Sequence, residues 1–484
     1  MDSRGWDGGV VKTLAGGVMA VAATVLCACA IAPASSISPL TTAAALDRRS
    51  LDDPGLAAFL AGVGAPRSPG PAWDLDALTL AAVYFHPDLD IAYARLAVAD
   101  AGVTTARQLP NPTLDFTPQF NTTTTTPSPW TVGPAISLLI ETFGKRGYRI
   151  EQSKSVVESA RADVETAAWQ VRGRVRTALI DLWVATERSD LTARRLEDQS
   201  HLVTQLEHRL AVGDASALDV SRERSNRDQL AIAVRDAETA TNAAKADLAA
   251  AIGIPARALD RQEIDLDGVR RAAVAPPSVG LQTSELRRQA LTTRSDVRAA
   301  LASYAAADAG LRLQLARRYP NVTLGASYSY DQGDNKYGLS LAAIELPIFN
   351  QNQGPIAEAA AHRKEAAATF LGVQAKVIGA MDSASAADRG SVAGLAAADA
   401  LVTEQAKRQS RSAETFSAGQ IDRPALLAGQ LELDAARILR LDAATARLRA
   451  LGQLEDALQQ PVLSKGFAFA TTRPPARPEL DPTR

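Results

Sequence analysis

Four histidines, two cysteines and one glycine–lysine pair are the residues of this chain with obvious chemical potential. Their spacing argues against most uses of it. His201 and His208 would share a helix face, but seven residues of helix separate them by about 10.5 Å along the axis, too far to ligate one ion together. Solvated helix surface is their expected place. His362-Arg363-Lys364-Glu365 lacks the second histidine of a zincin helix, and His86 stands alone. Phe143-Gly144-Lys145-Arg146 invites a phosphate-loop reading. However, Leu139 occupies the place of the first glycine, and Arg146 stands where a Ser or Thr would bind magnesium. The cysteines, Cys27 and Cys29, both lie near the N-terminus, so the rest of the chain offers no soft metal site. The sequence therefore leads us to expect no catalytic constellation, no cofactor and no metal site; it does not read as an enzyme.

The balance of 52 basic against 54 acidic residues gives no basic patch for nucleic acid. Apolar residues make up 46% but aromatics only 5%, with alanine abundant. This favours long helices packed closely over a bulky globular core. Lys12 precedes an apolar run from Leu14 to Leu26, too short to span a bilayer and shaped like a secretory signal. Residues 1–28 are expected to be that signal peptide. The run ends Leu26-Cys27-Ala28-Cys29, which resembles a bacterial lipobox with Cys29 as the acylated residue; the alternative is an ordinary signal cut nearby. Ala30 rather than Asp follows, which suits export to the outer membrane. Residues 29–72, rich in Ala, Ser, Pro and Gly, read as an extended tether. No later apolar run approaches about 18 residues. If the chain spans a membrane it must do so as a β-barrel, because lipid-exposed backbone has to pair internally.

Helical spacing begins near Trp73 and stops at Leu109, where Pro110 and Pro112 intervene. Period-two alternation follows over Thr113–Asn121 and again over Trp130–Glu141, a hairpin at 113–141 with one apolar and one polar side. A very long helix is expected from about Tyr148 to Leu210, then a break at Val212-Gly213-Asp214-Ala215-Ser216 and helix to about Ala251. The second half repeats the order. Helix over about Ser284–Arg318 stops at Pro320. Strand 321–331, a loop DQGDNK and a strand from Tyr337 to near Pro347 make a hairpin at 321–347. Helix follows to Phe416, then a break at Ser417-Ala418-Gly419-Gln420-Ile421-Asp422 and helix to about Gln460. The tail 461–484 reads as disordered. Landmarks keep their distance: Asp100-Ala101-Gly102 recurs as Asp308-Ala309-Gly310, Pro110-Asn111 as Pro320-Asn321, Gly133 as Gly338 and Gly213 as Gly419. The halves, 73–273 and 279–460, read as a duplication.

Four strands of roughly 9 to 11 residues are long enough to cross a membrane, yet a closed barrel takes at least about eight. The barrel must be shared between subunits. Helices of roughly 60 residues reach about 90 Å, a length suited to crossing a periplasm. The fold class is thus an α+β membrane protein: a duplicated helix–β-hairpin–helix unit that forms a shared outer-membrane β-barrel and a long periplasmic α-helical barrel. Phe116, Ile136, Leu324 and Leu341 should face lipid, and Thr117, Ser137, Thr323 and Ser340 the lumen.

Three motifs carry a resemblance: Leu109-Pro110-Asn111-Pro112, Glu141-Thr142-Phe143-Gly144-Lys145-Arg146, and LPIFNQNQGPIAEA from Leu346 to Ala359. Over nearly all its length after the signal the chain resembles the TolC-like outer-membrane efflux proteins, in motif closest to the heavy-metal efflux branch. The resemblance implies a homotrimer with a twelve-stranded barrel, fed by a periplasmic adaptor protein and an inner-membrane pump of the RND type. The protein would be a passive conduit, lipid-anchored in the outer membrane, with heavy-metal ions as one possible cargo. It implies that Val212, Gly213, Ala418 and Gly419 contact the adaptor. It also places tunnel closure near the second tip, where Arg411, Glu414 and Asp422 lie; Arg411, on the same helix face as Glu414, is its expected partner. A periplasmic coiled-coil lipoprotein of structural role is the competing reading, and the alternating segments speak against it, since a purely periplasmic rod has no use for strands with an apolar face.

The lipobox has a direct test. Mass spectrometry of the mature N-terminus should find a diacylglyceryl group on Cys29; a free N-terminus at any other residue would exclude it.

Overall fold

The computed structural model describes residues 37–64, 72–122, 128–274 and 284–463. The signal peptide, Cys29, parts of the expected tether and most of the expected tail lie outside these residues. The chain divides into two units, one of Met1–Arg48 with Pro475–Arg484, the other Arg49–Pro474. In the first, the described residues form one short helix, α1 (Pro39–Asp47), capped by Ser38 with Pro39 in its first turn.

The second unit begins with a departure from the expected tether. Asp53 caps a second helix, α2 (Pro54–Gly62), and Leu51, Leu56, Phe59 and Leu60 are buried in the core. Each of these helices opens with a capping residue followed by proline. That start signal was in the sequence, masked by its Ala-, Pro- and Gly-rich setting.

The expected helix from Trp73 is two helices, α3 (Leu75–Phe85) and α4 (Pro87–Arg107). Pro87 forces His86 out of helical geometry (ψ 126°), and the His86 ring caps the new helix by accepting the Asp88 N–H at 3.1 Å. After the first hairpin come α5 (Lys145–Ala211, 67 residues) and α6 (Ala217–Ile252, 36 residues). A 3-10 turn (Ala256–Leu259) and α7 (Leu266–Ala273) follow, and Trp73 bridges to Ile264 beside them. In the second half the expected helix is again split, into α8 (Ser284–Thr293) and α9 (Ser295–Arg317). No proline sits there. Instead the Arg294 guanidinium reaches across to the carbonyls of Asp456 and Ala457 at 2.8 and 2.6 Å, and Gln459 Oε1 accepts the Ser295 N–H. The breaks at His86 and Arg294 fall 208 residues apart, the same offset as the Asp-Ala-Gly landmarks. The second hairpin leads into α10 (Gln353–Ser417, 65 residues) and α11 (Arg423–Leu458, 36 residues).

Six strand segments make four antiparallel passes in one sheet. The first hairpin is interrupted: β1 (Thr113–Phe116) and β2 (Gln119–Phe120) flank Pro118, while β3 (Trp130–Val132) and β4 (Pro134–Ile140) flank Gly133. A Cβ at Gly133 would come within 1.8 Å of the Tyr328 carbonyl, so only glycine fits. The second hairpin is tighter than its sequence suggested. β5 (Val322–Asp331) turns through Gln332 and Gly333, both with positive φ, directly into β6 (Asp334–Ile344). This two-residue turn matches strand twist, so the fourth strand starts three residues before Tyr337 and ends before Pro347. β4 and β5 are paired on both sides; β1 and β6 each have one open edge.

The core is larger than the alanine-rich composition implied. It gathers at the middle of α5, where Trp73, Leu78, Phe85, Val171, Val175, Leu179, Trp183, Leu248, Ile252 and Leu448 are nearly inaccessible. Within it lies a buried ion cluster. Glu455 of α11 is 0% exposed and accepts Arg172 Nε at 2.6 Å and Arg176 Nη1 at 2.9 Å, both from α5. Arg172 also reaches Asp76 of α3, and Arg176 reaches Asp456. The other oxygen of Glu455 takes the N–H groups of Val462 and Leu463, so the first residues of the expected tail are held in place.

Burial alone would push the Glu455 carboxyl up, but the charges and hydrogen bonds of Arg172 and Arg176 hold it below its ordinary 4.5. Its stabilisation is therefore present above that ordinary value and lost as the pH falls through the depressed one. Glu455→Gln should cost about 3 kcal/mol at neutral pH, because two buried cations lose a partner. The difference from wild type in chemical denaturation should shrink in acid; an equal cost at every pH would show that charge pairing is not what holds this cluster.

Candidate functional site

The sheet has two chemically different faces. In β4, Ile136, Leu138 and Ile140 are exposed while Ala135, Ser137 and Leu139 are half-covered. Cross-strand register carries the division over the sheet: Leu114 pairs with Ile136, Leu138 with Leu324, and Leu324 with Leu341, all on one face. On the other face Thr113 pairs with Ser137 through a 2.6 Å hydroxyl contact, and Ser137 pairs with Gly325, which pairs with Ser340. Phe116, Ile136, Leu324 and Leu341 thus share a face, and Ser137, Thr323 and Ser340 share the opposite one. Thr117 falls in the interruption between β1 and β2, so pairing does not orient it. Aromatic residues mark both ends of the apolar face. Phe120, Trp130, Tyr328 and Tyr337 lie near the hairpin turns, and Phe143 stacks on Tyr319 with ring centres 4.2 Å apart where strands meet helices. Aromatic girdles of this kind flank the apolar band of membrane barrels. Among the described residues, no helix is long and apolar enough to cross a membrane.

The motif Glu141–Arg146 is a clamp at that helix–strand junction. Phe143 and Gly144 both take positive φ, which turns the chain from β4 into α5. Lys145 then donates to the Tyr319 carbonyl at 2.7 Å and to Asn321 Oδ1 at 2.6 Å. Arg146 caps the Arg107 carbonyl, and Arg149 binds the Ala106 and Gln108 carbonyls while gripping both oxygens of Glu141. Three cations thereby cover the free carbonyls at the ends of α4 and α9, where helix dipoles favour positive charge. In the second half Asn352, also with positive φ, does the corresponding work by donating to the Gln314 carbonyl at 2.7 Å, and Leu346, Ile348 and Phe349 beside it stay exposed. The motif's resemblance to a phosphate loop is accidental; its lysine is occupied by backbone and amide oxygen.

At the far end of the helices are two turns. Val212 and Ala418 end α5 and α10, and Gly213 and Gly419 adopt φ of 86° and 72°. Ser216 and Asp422 cap the returning helices. Val212 and Leu218 are 73% and 77% exposed, an apolar presentation at the tip. The two turns are tied together by an ion pair between Arg209 and Asp422. Asp422 therefore has its cation from the other turn, a partner invisible in local sequence. Arg411 also differs from expectation. It lies 3.6 Å from Glu404, which Arg408 also approaches, rather than binding Glu414. Arg408 and Arg411, one and two turns along the helix, converge on the same carboxylate. Glu414 contributes its carbonyl to Ala418 and Ser417.

Of the histidines, His201 and His208 are both exposed on α5, the solvated helix surface expected of them. Among the described residues no three His, Cys, Asp or Glu side chains come together as a metal site.

Residues 82–254 match the family model described as outer membrane efflux protein. The chain is 25% identical over 308 residues to the cobalt-zinc-cadmium resistance protein CzcC of Cupriavidus metallidurans, covering 63% of this chain and 70% of that one. It is 27% identical over 306 residues to the pyoverdine export outer membrane protein OpmQ of Pseudomonas aeruginosa, with 58% of this chain and 62% of that one covered. Its fold is similar to that of the outer membrane protein VceC from Vibrio cholerae (TM-score 0.65, 19% identity, 79% of this chain, 95% of that one). It is likewise similar to that of CusC, whose structures concern folding and transmembrane channel formation (TM-score 0.64, 17% identity, 79% of this chain, 91% of that one).

The face assignment can be tested with one pair of variants. Leu324→Arg places a charge on the apolar face and should cost roughly 2 to 4 kcal/mol at mid-membrane, whereas Thr323→Arg should cost little. Yield of assembled protein in outer membranes reads the difference; equal yields would mean that the register is wrong.

Proposed function

We propose that this chain, a TolC-like outer-membrane efflux protein, is the outer-membrane channel of a tripartite efflux system and passes its cargo outward without chemistry of its own. The observation that carries the reading is the sheet. Four strand passes with one apolar face and one polar face stand at the end of helices of about 100 Å, and neither edge of the sheet is closed within the chain. A rod that stayed in the periplasm would leave Leu114, Phe116, Ile136, Leu324 and Leu341 in water.

Closure requires further copies, since four passes are too few for a barrel. Three copies supply twelve, and a homotrimer is the assembly we propose, each subunit a duplicated helix–hairpin–helix unit anchored by lipid at Cys29. Val212, Gly213, Ala418 and Gly419 would meet a periplasmic adaptor, which in turn joins an RND-type inner-membrane pump. Divalent heavy-metal ions are the proposed cargo, supported by the similarity to CzcC, a cobalt-zinc-cadmium resistance protein. The similarity to OpmQ, named for pyoverdine export, makes an organic cargo the second candidate. Closure is assigned to the tips, where Asp422 with Arg209, and Glu414 with Arg411 nearby, would repeat around a threefold axis. Carboxylates held close in a narrow pore repel one another and favour cations.

Purified protein in planar bilayers should give discrete, cation-preferring conductance. Glu414→Ala should weaken that preference and Arg209→Ala should raise the conductance by loosening the tip. A folded trimer without conductance would leave the periplasmic rod as the better account. A strain lacking the chain should become sensitive to cobalt, zinc or cadmium; unchanged growth on all three would move the cargo to the organic class.

A further inference from the structure

Inside the chain the two halves meet along one seam. α9, which leads into β5, packs on α5, which follows β4. Ser159 meets Ser303 at 3.0 Å, Thr166 meets Ser295 at 2.7 Å, and Glu165 and Glu151 pair with Arg298 and Arg312. At the strand end of the seam Phe143 stacks on Tyr319, while Thr142 and Lys145 close on Tyr319, Pro320 and Asn321. β4 and β5 then pair side by side.

The pieces of that seam recur, exposed, at the two edges of the chain. α4 leads into edge strand β1 as α9 leads into β5, and α10 follows edge strand β6 as α5 follows β4. The face of α9 that carries Ser295 and Ser303 also carries Ala299 and Ala306, both buried. At the spacing of the repeated Asp-Ala-Gly landmarks, their counterparts on α4 are Ile91 and Val98, which are 50% and 73% exposed. A Cβ on Gly310 would stand 3.0 Å from Gln152 of α5, whereas one on its counterpart Gly102 would meet nothing. Leu109 holds the place of Tyr319 before the Pro-Asn step and is 69% exposed. Phe349, the aromatic that follows β6 as Phe143 follows β4, is 96% exposed. α10 itself buries only Val377 and Ala384.

We propose that the seam between the halves is repeated between copies. The Ile91, Val98 and Gly102 face of α4 in one copy lies along α10 of the next, and Leu109–Asn111 of the first meets Ile348–Phe349 of the second where β1 pairs with β6. The inference rests on the shared-barrel reading and names the surface through which the copies join. β1 and β6 run in opposite directions, so the new junction keeps the sheet antiparallel. Each copy offers one face of each kind, and such a head-to-tail contact propagates until it closes as a ring. Two α4 faces meeting each other would instead leave both β6 edges open. Burial of Ile91, Val98, Leu109 and Phe349 supplies the drive. The two seams differ in one respect. Where Lys145 begins α5 and clamps the seam within the chain, α10 begins with the uncharged Gln353, so the seam between copies depends more on packing.

The test uses the full chain in outer membranes with the paired substitutions Leu109→Cys and Phe349→Cys, treated with a short bis-maleimide and run on denaturing gels. The pair should give covalent species up to the full ring, and each single substitution, which controls for Cys27 and Cys29, should give none larger than a dimer. Native mass in detergent is measured alongside. An assembly of normal mass whose paired cysteines give no species above the monomer, or only a link within one copy, overturns the seam and leaves the shared barrel standing. A chain that is monomeric at native mass removes the shared barrel, and the seam with it. Val98→Arg supplies a second measurement. Val98 is exposed in the single chain, so helix content by circular dichroism should be unchanged while the assembled fraction falls several-fold. An assembled fraction equal to wild type would place α4 outside the contact and overturn the proposal.

Discussion

A carboxylate with no access to water sets the geometry from which the molecule extends. Glu455 can remain ionised in the core only because two guanidinium groups and two backbone N–H groups converge on it. That requirement fixes the axial position of α5 against α11, brings Asp76 of α3 to the same point through Arg172, and folds the chain after α11 back over the helix end. Side-chain volume around it is arranged to suit. A Cβ at Gly452 would come within 2.7 Å of Arg176 Nε, so the arginine lies flat across a helix surface that only glycine leaves open.

Once that register is set, it is inherited along the helices. Asp181, Arg188 and Arg209 of α5 meet Arg449, Asp442 and Asp422 because two helices packed antiparallel in one register keep residues at matching offsets opposite one another. Many of these outer pairs are solvent-exposed, and individually each contributes little. Their value is positional. They hold the two turns at the far end side by side.

The two halves share an order of elements but not a distribution of packing. α5 buries residues along most of its length, from Lys145 to Val203, whereas in α10 only Val377 and Ala384 are buried. Five glycines of α10, Gly354, Gly372, Gly379, Gly390 and Gly394, fall within a narrow arc of the helix and are exposed with nothing near them. The chain by itself thus covers α5 on several sides and leaves one smooth side of α10 bare. The sheet above it behaves in the same way, with central strands paired twice and outer strands once.

Periodicity was enough to determine from sequence the four strand passes, the very long helices, both Pro-Asn breaks and the glycine turns at 213 and 419, because each is specified by neighbours a few residues away. The faces of the sheet followed from the same alternation. Local signals were also present, though missed, at Ser38-Pro39, Asp53-Pro54 and His86-Pro87, where a capping residue and a proline start helices within stretches read as tether or as continuous helix. Other features had no local signal at all. The break at Arg294 is made by carbonyls 162 residues away, and the core around Trp73 assembles from segments at both ends of the unit. The lysine of Phe143-Gly144-Lys145 is committed to Tyr319 and Asn321 in the other half, and Arg209 rather than Arg411 faces an acid at the second turn. Charge pairing is decided by which helices come to lie together. Helical spacing can say which face a charged residue occupies, but only the packed structure supplies the residue opposite.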